Sequence, residues 1–195
     1  MRLHRQWMSV AATWGILGGM LGGMLGWMPG TIPVARAEQL PVPDPFMLTN
    51  PPTVVPGLAL RGADDARVEL AAWRGRFVLL SFWATWCAPC IEEMPSLDNL
   101  EHDLGGRRFQ VVPVSVEGRA RLAKVDAFMR AYRLSNLPVY ALEQKTDQRA
   151  FGVRAIPTTL LIDPDGKEIW RALGTVDWDS AAARAMITHY LDAAP

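Results

Sequence analysis

Phe77-Val78-Leu79-Leu80-Ser81-Phe82-Trp83-Ala84-Thr85-Trp86-Cys87-Ala88-Pro89-Cys90 is the stretch on which the fold turns. Its first seven residues are a near-continuous apolar run, the pattern of a strand buried on both faces. The run leads into the only two cysteines of the 195-residue chain. No third or fourth cysteine is present to complete a zinc site, and His4, His102 and His189 lie outside any C-x-x-C…H-x-x-x-H spacing. Ile91 rather than His follows Cys90, so the c-type haem attachment motif is absent. A redox dithiol is the reading that remains. A bridge across so short a loop constrains the unfolded chain only weakly, which makes a structural staple the weaker explanation.

The residues after the pair predict a helix from Ala88 to Leu104, stopped by Gly105-Gly106. Pro89 suits a first helical turn, where its missing N–H has no partner to lose. Cys87 then stands at a helix N-terminus, where unpaired N–H groups and the helix dipole favour an anion and lower a thiol pKa. Cys87 is therefore the candidate attacking sulfur. Cys90, one turn inside, is the candidate resolver of a mixed disulfide. Trp86 is expected at the rim of the site and Trp83 in core packing.

Working outward, 57–70 reads as a hairpin, with Leu58-Ala59-Leu60 and Val68-Glu69-Leu70 flanking Gly62-Ala63-Asp64-Asp65. Phe109 to Val116 reads as a second buried strand. Arg119 to Tyr132 reads as an amphipathic helix with Leu122, Val125, Phe128, Met129 and Tyr132 on one face. A short strand (139–142) and a short helix (146–151) follow. Two strands (158–163 and 167–173) then meet at Pro164-Asp165-Gly166, and 179–193 forms a last helix. The order β-β, β-α-β-α-β-α, β-β-α predicts an α/β domain, a mixed central sheet with helices on both faces.

The N-terminus differs in kind. Arg2 and Arg5 precede an uncharged stretch from Gln6 to Ala35, whose Trp7–Met28 core is rich in Gly, Leu and Met. Pro29, Pro33 and an Ala35-Arg36-Ala37 cleavage pattern complete the layout of a secretory signal peptide. The apolar core is also long enough for a membrane anchor, and Gly15, Gly19, Gly23 with Gly18, Gly22, Gly26 would give that anchor a close packing face. Both readings place the cysteines outside the cytoplasm. Residues 1–37 are thus a signal peptide or anchor. Residues 38–53, within a stretch holding six prolines from Glu38 to Pro56, read as an extended linker, and 54–195 as the folded domain. Loss of 1–37 would change the net charge from 0 to about −3, and no basic run points to nucleic acid. No Gly-rich phosphate loop follows a strand, and neither a metal nor a nucleotide cofactor is expected.

Phe82 to Cys90 resembles the active-site segment of thioredoxin-fold proteins. The continuation Ile91-Glu92-Glu93-Met94-Pro95 is similar to that of the exported TlpA/ResA/DsbE-like thiol–disulfide oxidoreductases. The resemblance extends over Ala155-Ile156-Pro157-Thr158-Thr159, Leu161-Ile162-Asp163 with Asp165-Gly166, and Gly174. It implies a thioredoxin fold with an N-terminal hairpin extension and a cis peptide bond before Pro157, facing the cysteines. It also implies a substrate groove lined by the Ile156 backbone together with Trp86, Ala88 and Pro89. Glu93 matches the family's acidic residue past the second cysteine and is expected to exchange a proton with Cys90, while Glu92 takes the exposed position. Ser81 stands where thioredoxin proper has a buried Asp, and a hydroxyl cannot serve as a carboxylate base.

The implied activity is reduction of disulfides in particular extracytoplasmic proteins, apocytochrome c among them, with electrons from a membrane thiol reductant and the chain acting as a periplasmic monomer. Ala88-Pro89 lacks the His that strongly oxidising relatives place between the cysteines. Two other classes fit less well. Copper delivery in this superfamily uses a wider cysteine spacing and a distal His. A peroxidase needs a Thr three residues before the attacking cysteine, where this chain has Ala84.

Overall fold

The computed structural model describes residues 45–193. The leader (1–37), its glycine repeat, the cleavage pattern and residues 38–44 of the expected linker lie outside the described residues. Eight strands form one mixed sheet: β1 (Phe46–Val54), β2 (Ala59–Gly62), β3 (Arg67–Glu69), β4 (Phe77–Trp83), β5 (Phe109–Ser115), β6 (Tyr140–Leu142), β7 (Thr158–Ile162) and β8 (Lys167–Leu173). Their order across the sheet is β1-β8-β7-β4-β5-β6-β2-β3. The pairs β4–β5 and β5–β6 are parallel and the rest antiparallel. Three α-helices complete the fold: α1 (Ala88–Leu104), α2 (Leu122–Ala131) and α3 (Ala181–Ala193).

The apolar run 77–83 is buried at every position, as a central strand between β5 and β7 requires. Strand alternation divides it between two cores. Phe77, Leu79 and Trp83 join one core with the buried faces of α1, α2 and α3: Met94, Leu97 and Leu100; Val125 and Met129; Ala183, Met186 and Ile187. Val78, Leu80 and Phe82 join the other. The expected helices on both faces are therefore unequal. The second core is closed by the hairpin residues Leu58 and Leu60 and by 3-10 segments carrying Leu70, Trp73 and Phe151. Segments this short have too few residues to hold a full α-helical ladder.

Most element ends fall within two residues of expectation, and three segments differ in kind. Residues 46–53, assigned to the linker, are extended but belong to the sheet: with Val54 they form β1, which pairs with β8 from Phe46↔Ala172 to Val54↔Lys167. Phe46 anchors this edge strand, with its ring 4.9 Å from that of Trp170 and 5.7 Å from that of Trp178. The segment 119–132 opens with a 3-10 turn (Arg119–Arg121), and only Leu122–Ala131 is α-helical. Tyr132 is exposed and stacks on Phe128 instead of entering the core. The short helix near 146–151 is 3-10 (Asp147–Phe151) and ends at Gly152, whose φ of 69° is left-handed.

Candidate active site

The end of β4 delivers the site. Its backbone stays tied to β5 through Val116 N–H donating to Trp83 O (2.9 Å), and the chain turns through Cys87 N–H to Ala84 O (3.1 Å) before α1 begins. Cys87 is the N-cap of α1: its Sγ accepts from Cys90 N–H at 3.3 Å, and Pro89 lies in the first turn. The helix runs on through Pro95 to Leu104. Cys87 and Cys90 are joined as a disulfide, with 5.2 Å between their Cα atoms, and both are buried. The sulfur of Cys87 thus lies among the free N–H groups at the positive end of a helix, where a thiolate released by reduction is stabilised.

The peptide bond between Ile156 and Pro157 is cis. It brings Ile156 O to 3.8 Å from Cys87 Sγ, so this loop faces the disulfide as expected. Two contacts complete the wall. Gly174 N–H donates to Pro157 O at 3.0 Å, and Thr175 Oγ1 donates to Pro89 O at 3.3 Å. Trp86, Ala88 and Pro89 are exposed at the rim, with Trp86 at 65%. Trp83 is buried in the core and its ring packs 5.2 Å from that of Phe128.

Behind the disulfide, Glu93 is 2% exposed while its neighbour Glu92 is exposed. Burial raises the Glu93 carboxyl to a pKa of about 7, against the opposing effect of the hydrogen bond from Trp178 Nε1. One carboxyl oxygen takes the Trp178 bond; the other, Oε2, is buried with no hydrogen-bond partner. Cys90 and Glu93, three residues apart, share one face of α1. At thioredoxin's Asp position, Ser81 Oγ accepts from Thr159 Oγ1 at 3.1 Å, a buried hydroxyl pair with no carboxylate.

Two residues of this site carry no sequence signal. Trp178 reaches Glu93 from 85 residues away. Glu117 is buried just past β5, where Oε2 accepts from Thr85 N–H at 2.8 Å and Oε1 from Lys124 Nζ at 3.2 Å. Those two donors hold its carboxylate below the usual range despite burial. A bond pattern linking Thr85 to residue 117 is invisible without the β4–β5 register. His102 and His189 are exposed on α1 and α3, away from this chemistry.

A Cys-x-x-Cys at the N-terminus of α1, faced by a cis-prolyl loop in a mixed sheet, defines a thioredoxin-fold protein with a dithiol/disulfide centre. The chain belongs to the AhpC/TSA family, whose model matches residues 52–169. It is 35% identical over 121 residues to the thiol-disulfide oxidoreductase ResA of Bacillus subtilis (strain 168), a match covering 62% of this chain and 66% of that one. The chain thus spans just under two thirds of that relative's length. Among solved structures it is similar to a Chlorobium tepidum protein assigned as a thiol:disulfide interchange protein DsbE (28% identity, TM-score 0.63, covering 72% of this chain and 96% of that one). It is also similar to the exposed lipoprotein thioredoxin Etrx1 of Streptococcus pneumoniae strain TIGR4 (26% identity, TM-score 0.57, 70% and 98%).

Proposed function

We propose that the protein is a thiol–disulfide oxidoreductase that reduces disulfides of particular proteins outside the cytoplasm. The observation that carries this reading is the Cys87–Cys90 disulfide, with Cys87 Sγ at the N-cap of α1 and 3.8 Å from Ile156 O beside cis Pro157. The names of the relatives support it. In the reduced protein, the Cys87 thiolate attacks one sulfur of a substrate disulfide. A Cys87–substrate bond forms and the other substrate sulfur leaves as thiolate. Cys90 gives its proton to Glu93, and its thiolate attacks Cys87. The second substrate thiol is released and the Cys87–Cys90 disulfide forms. Two electrons pass to the substrate; the Cys90 proton held on Glu93 returns to one departing thiolate, and the other thiolate takes its proton from water. The Ile156 backbone, Trp86, Ala88 and Pro89 line the groove for the substrate chain.

The N-terminal segment 1–37 exports the domain or tethers it to the periplasmic side of the inner membrane. A membrane thiol reductant restores the dithiol, the protein acts as a monomer, and apocytochrome c is among the substrates. The basis for these finer assignments is the leader and the family resemblance. Copper handling is the competing class. Among the described residues, no group of three or more His, Cys, Asp or Glu side chains comes together to hold a metal.

The test uses purified reduced protein with insulin and with a peptide carrying an oxidised Cys-x-x-Cys-His. Wild type reduces both, the second faster. Cys87→Ser abolishes turnover, and Cys90→Ser accumulates a mixed disulfide with the peptide, read by mass. Failure to reduce either, together with tight equimolar copper binding, would replace this reading with metal handling. Equal rates on both would remove apocytochrome c from it.

A further inference from the structure

Beside the disulfide lies a cleft of about 390 Å3, at the lower end of small-ligand sites, lined by Trp86, Val116, Glu117, Arg121, Lys124 and Lys145. Three of its six residues are cationic. Its single acid, Glu117, is buried and already engaged by Thr85 N–H and Lys124 Nζ. Lys124 is half-consumed by that pairing, with its side chain still 52% exposed. Arg121 and Lys145 are exposed and have no carboxylate partner among the described residues.

The contrast with their surroundings is informative. Three nearby acids are matched by other cations: Asp65 by Arg119, Glu143 by Arg61, and Asp126 by Arg130, while Asp147 accepts from Gln144 N–H and Asp64 from Ala66 N–H. The positive charge at the cleft is therefore a local surplus rather than half of a solvated salt-bridge network. The backbone also makes room for it. Gly118 has φ 79°, and a Cβ there would come within 3.0 Å of Lys145 Cγ, so the lysine stem lies across the glycine. The wall toward the sulfurs is Trp86, directly before Cys87 and the most exposed aromatic ring described.

We infer that this cleft is a docking subsite for acidic residues flanking the substrate's cysteines, so that the protein selects disulfides in negatively charged protein segments. The inference rests on the thiol–disulfide reading and names its substrate class. Exposed cations act mainly on encounter and on weak, salt-screened pairing, each pair contributing modestly. Two unmatched cations and a half-free third amount to a preference of about tenfold at low ionic strength.

The test compares two peptides with the same oxidised Cys-x-x-Cys core, one flanked by Asp and Glu, the other by Ser and Gln. At low salt, wild type gives a kcat/KM ratio of about ten in favour of the acidic peptide, shrinking as salt rises. The double variant R121Q/K145Q brings the ratio to about twofold or less. Neither side chain makes a hydrogen bond or ion pair among the described residues, so the fold is retained; circular dichroism checks this. R107Q, which removes one exposed charge before β5 at the end of the sheet opposite Cys87, keeps the wild-type ratio. Equal kcat/KM for the two peptides in wild type, or a preference that survives R121Q/K145Q, overturns the subsite and leaves the redox function standing. Reduction of neither peptide overturns both.

Discussion

Glu93 makes stability depend on pH through one buried carboxyl. Its pKa of about 7, against an ordinary 4.5, comes first from desolvation. The unfolded chain therefore loses this proton near pH 4.5, while the folded protein keeps it until about pH 7. Folding is unpenalised below the lower value, and stability is lost as pH rises through the interval. Between pH 5 and pH 8.5 the loss is about 2–3 kcal/mol. Glu93→Gln removes that dependence, so urea unfolding shows the variant gaining on wild type by about that amount from pH 5 to pH 8.5. The same substitution flattens the reduction rate over that range if the carboxyl takes the Cys90 proton. A constant stability difference across pH would mean that Glu93 is ionised throughout. That Glu93 rather than Glu92 turns inward is what the family resemblance implied, and its spacing of three from Cys90 agrees with it. That Trp178 holds the inward one is not readable from the sequence, because the contact joins α1 to a loop that only the folded sheet brings near.

At the scale of elements, the strands and helices with strong periodicity were legible: β4, the 59–69 hairpin, and α1 to its terminal residue, Pro95 included. Edge elements were less so. β1 has two adjacent prolines and a single buried side chain, so neither alternation nor propensity marks it. It exists because β8 offers an open edge and because Phe46 fits against Trp170 and Trp178. Its stability should therefore reside in that one residue. Phe46→Ala should cost about 3 kcal/mol in urea unfolding, with an unchanged m value. Met47→Ala and Leu48→Ala, at 44% and 46% exposure, should each cost under about 0.5 kcal/mol. Because Trp178 also binds Glu93, Phe46→Ala is the strand variant expected to disturb the active-site carboxyl. A strand held instead by its backbone ladder would show no such concentration at residue 46.

The whole molecule sets the direction of electron flow. Two cores pack the two faces of the sheet, and only one of them contains the cysteines. Closing a loop this short contributes at most about 2 kcal/mol through the unfolded chain. Opposing it, the helix N-terminus stabilises the Cys87 thiolate of the reduced form. The sign of the difference decides the role, because the cycle linking folding to reduction ties relative stability to potential: about 30 mV for each 1.4 kcal/mol. A strong oxidant is more stable reduced. A reductant is more stable oxidised. For this protein, with Ala88-Pro89 between the cysteines and one buried carboxyl behind them, the oxidised form should be the more stable by about 1–2 kcal/mol. Both forms should unfold cooperatively. Urea unfolding of the oxidised protein, and of the protein held reduced by excess phosphine, measures the difference directly. A more stable reduced form would make the protein a disulfide donor, reversing the proposed direction while keeping the same two sulfurs. Loss of the fold on reduction would make the bridge a staple and end the redox reading.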